Sequence, residues 1–342
     1  MIISLLRLVV ALVAALMPLA AAEAQPVGTL EDIKARGVLV CGVGAGVPGF
    51  AESDDRGNWS GFEIDFCQAL AAAVLGRREA VRYRPVTVAE RFSALTSGQI
   101  DILARSSTWT LTRDAENGPI FVATLFHDGH KLLVRRAQAL SSVLELTSAT
   151  VCVESGSPAE QAVADFFTLR RMKVELIPAP RFEDALRHYL AKGCIAIAGE
   201  GTQLAAIRNR IETPADHVLL PENISREPLG PMIREGDDRW FLTVRWTLNA
   251  LIAAEELGVT SANAEQQRAT GPGEARRLLG SEGSLGKLLG LDPGWAFNVI
   301  RQVGNYGEIF ERNLGMRSAL KLERGLNNLW SRNGLMIAPP FR

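Results

Sequence analysis

Residues 81–104 read VRYRPVTVAERFSALTSGQIDILA. Val81 to Val86 predicts a strand, Thr87 to Thr96 a helix that Gly98 closes, and Ile100 to Ala104 the next strand. The pattern extends upstream. Thr29 to Lys34 predicts a short helix, the run from Val38 to Val43 a strand, Asp54-Asp55-Arg56-Gly57-Asn58 a hairpin-type turn, and Phe62 to Leu75 a helix with apolar residues at helical spacing. A β-α-β-α-β order predicts a mostly parallel sheet with helices on its faces.

Downstream of HKLLVRR (130–136) and the polar Ser141-Ser142, the pattern begins again. Short helix 143–146, strand 149–153, helix 159–169, strand 174–177, helix 181–191 and strand 194–198 predict a second α/β lobe over 137–226. After Pro228-Leu229-Gly230-Pro231, an extended run and the helical stretch Arg239 to Leu257 return the chain to the first lobe, assigned 25–136 and 227–342. Two α/β lobes joined by two crossings enclose a cleft.

Residues 1–24 have the form of a cleaved secretory signal: Arg7, an apolar run from Leu8 to Leu19, and Ala22-Glu23-Ala24 before Gln25. That run is shorter than the ~20 residues of a spanning helix. The remaining chain is long enough for two domains of ~100 to 200 residues each and is expected to be exported and monomeric. With 37 basic and 38 acidic residues it has no dense basic cluster, which argues against nucleic acid as a partner. Four cysteines, Cys41, Cys67, Cys152 and Cys194, permit three pairings. Their grouping favours Cys41 with Cys67 and Cys152 with Cys194, one bridge per lobe. No Cys-x-x-Cys occurs, and export favours disulfides over zinc.

Ligands of open α/β sheets bind beyond the carboxyl ends of strands, beside helix N-termini. Three loops lie there: SSTWTLTRD (106–114), ESGS (154–157) and GEGT (199–202). The first sets one guanidinium, Arg113, among hydroxyls and an indole, a composition suited to a small anion.

These features resemble the periplasmic solute-binding proteins of amino-acid ABC importers (family 3), in particular the general L-amino-acid binding subgroup. The matching segments are LVCGV (39–43), DDRGNWSGFEIDFCQALAAAVLG (54–76), ERFSALTSGQIDIL (90–103), SSTWTLTRD (106–114), PLGPMIREGDDRWF (228–241), AEELGVTS (254–261) and VGNYGEIFERNLG (303–315). The resemblance implies a type II periplasmic binding protein-like α/β fold with a helical C-terminal extension, an L-amino acid as ligand and a membrane permease as partner. It implies that Arg113 pairs with the ligand α-carboxylate and that Ser106 and Thr108 hold the head group. Phe50 matches the family's cleft-lining aromatic, with a buried core Phe as the alternative, and Trp109 either walls the ligand side chain or packs under the loop as core. On the second lobe it assigns Ser157 to the carboxylate and Glu200 to the ammonium.

Two positions depart from the family pattern. Where the second-lobe loop usually reads Gly-Thr-Thr, this chain has Gly156-Ser157-Pro158, and proline has no N–H. Loss of one donor to a charged carboxylate weakens binding by roughly ten- to a hundredfold. The usual aspartate aligns with Glu200, one methylene longer. These positions leave the ligand class open.

Other constellations read as structural. His127-Asp128-Gly129-His130 predicts a turn into a strand, and Glu63 and Asp65 open a helix where acids favour the dipole. No Gly-x-Ser-x-Gly, P-loop or dinucleotide fingerprint is present, so no cofactor is expected. Two rival functions remain on the same scaffold. One is an exported cyclohexadienyl or arogenate dehydratase-like enzyme with Glu200 as general acid; the other is a sensory binding protein docking on a receptor.

Overall fold

A computed structural model describes residues 28–44, 46–87, 89–115 and 118–342. The signal segment 1–24 lies outside the described residues. Two five-stranded sheets organise the chain. In the first, Leu39–Val43 runs between Val81–Pro85 and Ile102–Ala104 and parallel to both. Met232–Arg234 joins antiparallel to Ile102–Ala104 and carries Pro119–Phe121 at the edge. All five residues of Leu39–Val43 are buried, as in a strand covered on both faces. Helix Phe62–Leu75 packs on this strand, and helix Trp295–Val303 packs on that helix. The Cys41–Cys67 disulfide ties strand to helix across a Cα separation of 6.3 Å.

The second sheet places Ala149–Glu154 between Val174–Ala179 and Ala196–Glu200, all parallel. His130–Arg135 and then His217–Leu219 complete it, each antiparallel to its neighbour. Here Cys152–Cys194 closes a loop of 42 residues with Cα atoms 5.8 Å apart. The α/β class, the two lobes and both cysteine pairs are as the sequence predicts.

Three local features differ. The helix expected from Thr87 spans Arg91–Thr96. Thr87 instead caps the turn that leads into it: its Oγ1 accepts the Glu90 N–H at 3.2 Å and donates to Glu90 Oε2 at 3.0 Å, while its carbonyl accepts the Arg91 N–H at 3.1 Å. His130–Arg135, which the sequence pattern placed with the first lobe, is a strand of the second sheet. The His127–His130 segment is not a turn. Strand Phe126–Asp128 ends at Gly129, and the next strand starts at His130.

The first crossing therefore falls at Gly129. Phe126–Asp128 pairs antiparallel with Glu227–Leu229, so the two crossings lie side by side. A Cβ on Gly129 would stand 2.7 Å from the Ser225 carbonyl oxygen and 2.8 Å from Asn223 Cβ, so the close approach of the crossings requires glycine. Ser225 Oγ receives the His130 N–H at 3.0 Å and donates to Glu227 Oε1 at 3.2 Å, which fastens the second crossing to the first.

The long helix Asp238–Glu256 buries Trp240 completely, and its indole Nε1 donates to the Asp101 carbonyl at 2.9 Å. Helices Ala264–Thr270, Gly273–Leu278, Leu285–Leu288, Trp295–Val303 and Tyr306–Asn313 follow, and their apolar residues join the first lobe's core. Beyond them the chain turns to the crossings. Leu320 is buried in that same core beside Ala206 of the second lobe. Asn209, at the end of helix Gly201–Arg208, donates from its side chain to the Ala319 carbonyl.

Candidate functional site

The loop after strand Ile102–Ala104 is held in place by its own polar groups. Thr108 bridges to Leu229, and the Trp109 N–H donates to the Pro228 carbonyl at 2.7 Å, so the loop is fastened to the second crossing. The Arg113 guanidinium donates through Nη1 to the Thr108 carbonyl at 2.8 Å. Among the described residues this engages one of its five donors, and Arg113 is only half-buried. Burial lowers the Arg91 pKa, and the nearby positive charges of Arg113 and Arg105 lower it further. The first lobe thus presents positive charge beside the loop.

The Trp109 indole stacks on Phe121 with ring centroids 5.5 Å apart and planes 13° from parallel, against the first lobe's core. Phe50 is 1% exposed and makes edge-to-face contacts with Phe62 and Phe126. This burial places Phe50 in the core and not on the wall of an open cleft. An isolated aromatic after a strand gives no sequence signal that separates these two locations.

The second lobe forms a cavity of about 190 Å³. Ser157 and Glu200, predicted from separate loops, both line it, together with His130, Glu154, Phe182 and Gln203. Ser157 is the N-cap of helix Pro158–Leu169: its Oγ accepts the Glu160 N–H at 3.3 Å and donates to the Glu154 carbonyl at 2.7 Å. Pro158 occupies the first helical position, where an N–H has no intrahelical partner and a proline is tolerated. Glu200 ends its strand opposite His130. Although the residue as a whole is exposed, desolvation of its carboxyl raises the pKa, and the negative charges of Asp128 and Glu227 add to the rise. Arg113, Ser106, Thr108, Trp109 and Phe50 do not line this cavity. The first-lobe loop and this cavity are carried on separate lobes.

Asp128 sits at the first crossing, where its carboxylate accepts the Gly129 N–H and the Thr202 hydroxyl, each at 2.8 Å. Burial nevertheless pushes its pKa up to about 6. Among the described residues no group of three or more His, Cys, Asp and Glu side chains is placed to hold a metal ion.

One residue assigned to the helix dipole by sequence has a different partner. Glu63 is buried and accepts both the N–H and the hydroxyl of Ser106, the latter at 2.9 Å. A GFEID run signals a helix start, and nothing local to it announces a contact with a loop 43 positions away. Asp65, by contrast, pairs with Arg312 at 2.7 Å.

Two α/β lobes on paired crossings, with polar strand-end loops on each side, define a two-lobed ligand-binding protein of the hinge-closing class. The chain belongs to the bacterial extracellular solute-binding proteins, family 3, whose sequence model matches residues 39–262. It is 44% identical over 323 residues to the general L-amino acid-binding periplasmic protein AapJ of Rhizobium johnstonii, covering 94% of this chain and 95% of that protein. To the glutamate/glutamine/aspartate/asparagine-binding protein BztA of Rhodobacter capsulatus it is 45% identical over 322 residues, with the same two coverages. Among solved structures, an ABC transporter/periplasmic binding protein from Brucella ovis with glutathione bound superposes with a TM-score of 0.79 at 42% identity, covering 92% of this chain and 99% of that one.

Proposed function

We propose that the protein is the substrate-binding component of an amino-acid ABC importer, exported to the periplasm through a signal cleaved between Ala24 and Gln25, and that it delivers a free amino acid to a membrane permease. The observation that carries this reading is the division of polar groups between lobes: a guanidinium and hydroxyls on the first, a serine-capped helix end and a carboxylate on the second. That division suits a zwitterion lying across the cleft. Arg113 grips the α-carboxylate with its planar fork, and Ser106 and Thr108 surround the head group. Ser157 and Glu200 meet the ligand when the lobes close, with Glu200 accepting from the ammonium. A ligand that touches the second lobe only in the closed state stabilises that state by those contacts, and no covalent step is needed.

The near-full-length similarity to amino-acid binders, which extends through the C-terminal helices, supports import over dehydration. Among the described residues no helix is long and apolar enough to cross a membrane. Glutathione, bound by the Brucella ovis relative, carries a free α-ammonium and α-carboxylate at its glutamyl end, so the same head-group chemistry extends to a small peptide. A thermal-shift panel of the common L-amino acids, keto acids and glutathione tests the reading. Stabilisation by at least one amino acid or by glutathione is the expected result. No shift with any of them, or turnover of prephenate or arogenate that Glu200→Gln abolishes, would overturn it.

A further inference from the structure

We propose that Glu63 is the positioning residue of the ligand loop: by binding Ser106 it holds residues 105–113 in the shape that receives a ligand head group. The proposal rests on the reading of that loop given above and adds a residue that does not itself meet the ligand.

Glu63 stands in the first turn of helix Phe62–Leu75, yet is only 4% exposed. Its Oε1 accepts both donors of Ser106. Ser106 has φ of 25°, in the left-handed region that residues with a Cβ seldom adopt, and such conformations persist only where the surroundings enforce them. The carboxylate supplies that enforcement, because it takes the amide and the hydroxyl of the strained residue together.

The other oxygen, Oε2, is buried with no hydrogen-bond partner among the described residues. Beside Glu63 lies a void of about 10 Å³, walled by Phe50, Arg105, Phe126 and Pro231 among others. It has room for about one water molecule and none for a ligand, so Glu63 acts through Ser106. Among the described residues, Arg105 is the one charged group besides Glu63 that lines this void, and its Nε is committed to the Val86 carbonyl at 2.9 Å. On the helix side, Asp65 is engaged by Arg312 and Asn313.

A buried carboxyl with an unsatisfied oxygen destabilises the fold, so its folded-state cost is set against its hold on the loop. Desolvation pushes Glu63 up to about 7, opposed by the donors of Ser106 and the charge of Arg105. The ionised carboxylate is the stronger acceptor, so the loop is held more firmly above that pH and more loosely below it.

The test is Glu63→Gln, which keeps the shape and removes the charge. In the native chain without ligand, the Ser106 amide resonance in an NMR titration from pH 5 to 9 is expected to move with a midpoint near 7; in the variant it stays flat. The variant is expected to keep or raise its melting temperature while binding L-glutamine about tenfold more weakly at pH 8, with the native pH dependence of affinity above pH 6 reduced. Comparing the two chains removes the contribution of Asp128, which titrates nearby in pH. A Ser106 resonance that ignores pH in the native chain, or a melting temperature that falls in step with affinity, would overturn the proposal. If the native chain binds no amino acid while Ser106 still follows Glu63, the functional reading fails and the contact stands.

Discussion

Asn327 grips His127 twice: its Oδ1 accepts the His127 N–H at 2.7 Å, and its Nδ2 donates to the His127 carbonyl at 2.9 Å. A residue 200 positions along the chain thus continues the hydrogen bonding of the first crossing strand, whose other edge pairs with Glu227–Leu229. Asn327→Ala leaves two backbone groups of a crossing strand without partners. The expected cost is about 1 to 3 kcal/mol. It is read as a fall in the denaturation midpoint, and an unchanged midpoint would show that water replaces the amide without loss.

Arg113→Ala removes the guanidinium assigned to the ligand carboxylate. The side chain is half-buried and makes one named contact within its own loop, so folding is expected to survive. Calorimetric affinity for any amino acid found in the thermal panel should fall at least a hundredfold, consistent with loss of a bidentate charged pair. Retention of native affinity sinks the assignment of Arg113.

Pro158→Thr restores an N–H at the first position of helix Pro158–Leu169, beside the cavity that holds Ser157 and Glu200. If the missing amide limits carboxylate binding, ordinary L-amino acids should bind about ten- to a hundredfold more tightly. No gain would mean that the second lobe meets its ligand through other donors.

Asp128→Asn tests the buried carboxyl at the first crossing. Its folded pKa of about 6 lies above the ordinary 3.8, so the folded state holds the proton more tightly than the unfolded chain. That contribution is complete below pH 3.8 and is lost as pH rises through about 6. On the order of 2 to 3 kcal/mol is at stake. The asparagine variant should therefore melt higher than the native chain at pH 7.5, with the gap closing toward pH 4. A gap independent of pH would show that hydrogen bonding, and not charge, decides stability at this crossing.

Much of the architecture is legible in the chain because it is written in local periodicity. The apolar run at Leu39–Val43 and the helical spacing of Phe62–Leu75 each declare an element within a few residues. Strand-end loops follow from the element order, which makes the loops carrying Ser157 and Glu200 legible in sequence, and both residues line one cavity. The lobe boundary was less legible. HKLLVRR reads as a strand, but strand character does not say which sheet will pair with it. Phe50 shows the same limit, since an aromatic beside a ligand loop and an aromatic in the core have the same local signature.

By itself, the sequence determined the α/β elements, their repetition in two lobes, the favoured cysteine pairs and the family to which the loops belong. The elements depend on side-chain spacing along a helix or strand, the cysteine pairs on their grouping along the chain, and the family on the motifs that resemble it. Tertiary structure alone decided that Gly129 is the crossing, that Asn327 clamps it, and that Glu63 faces Ser106 and not its own helix end. Each is a partnership across tens to hundreds of residues. Such contacts are fixed by where the chain returns and by the demand that buried polar groups find partners.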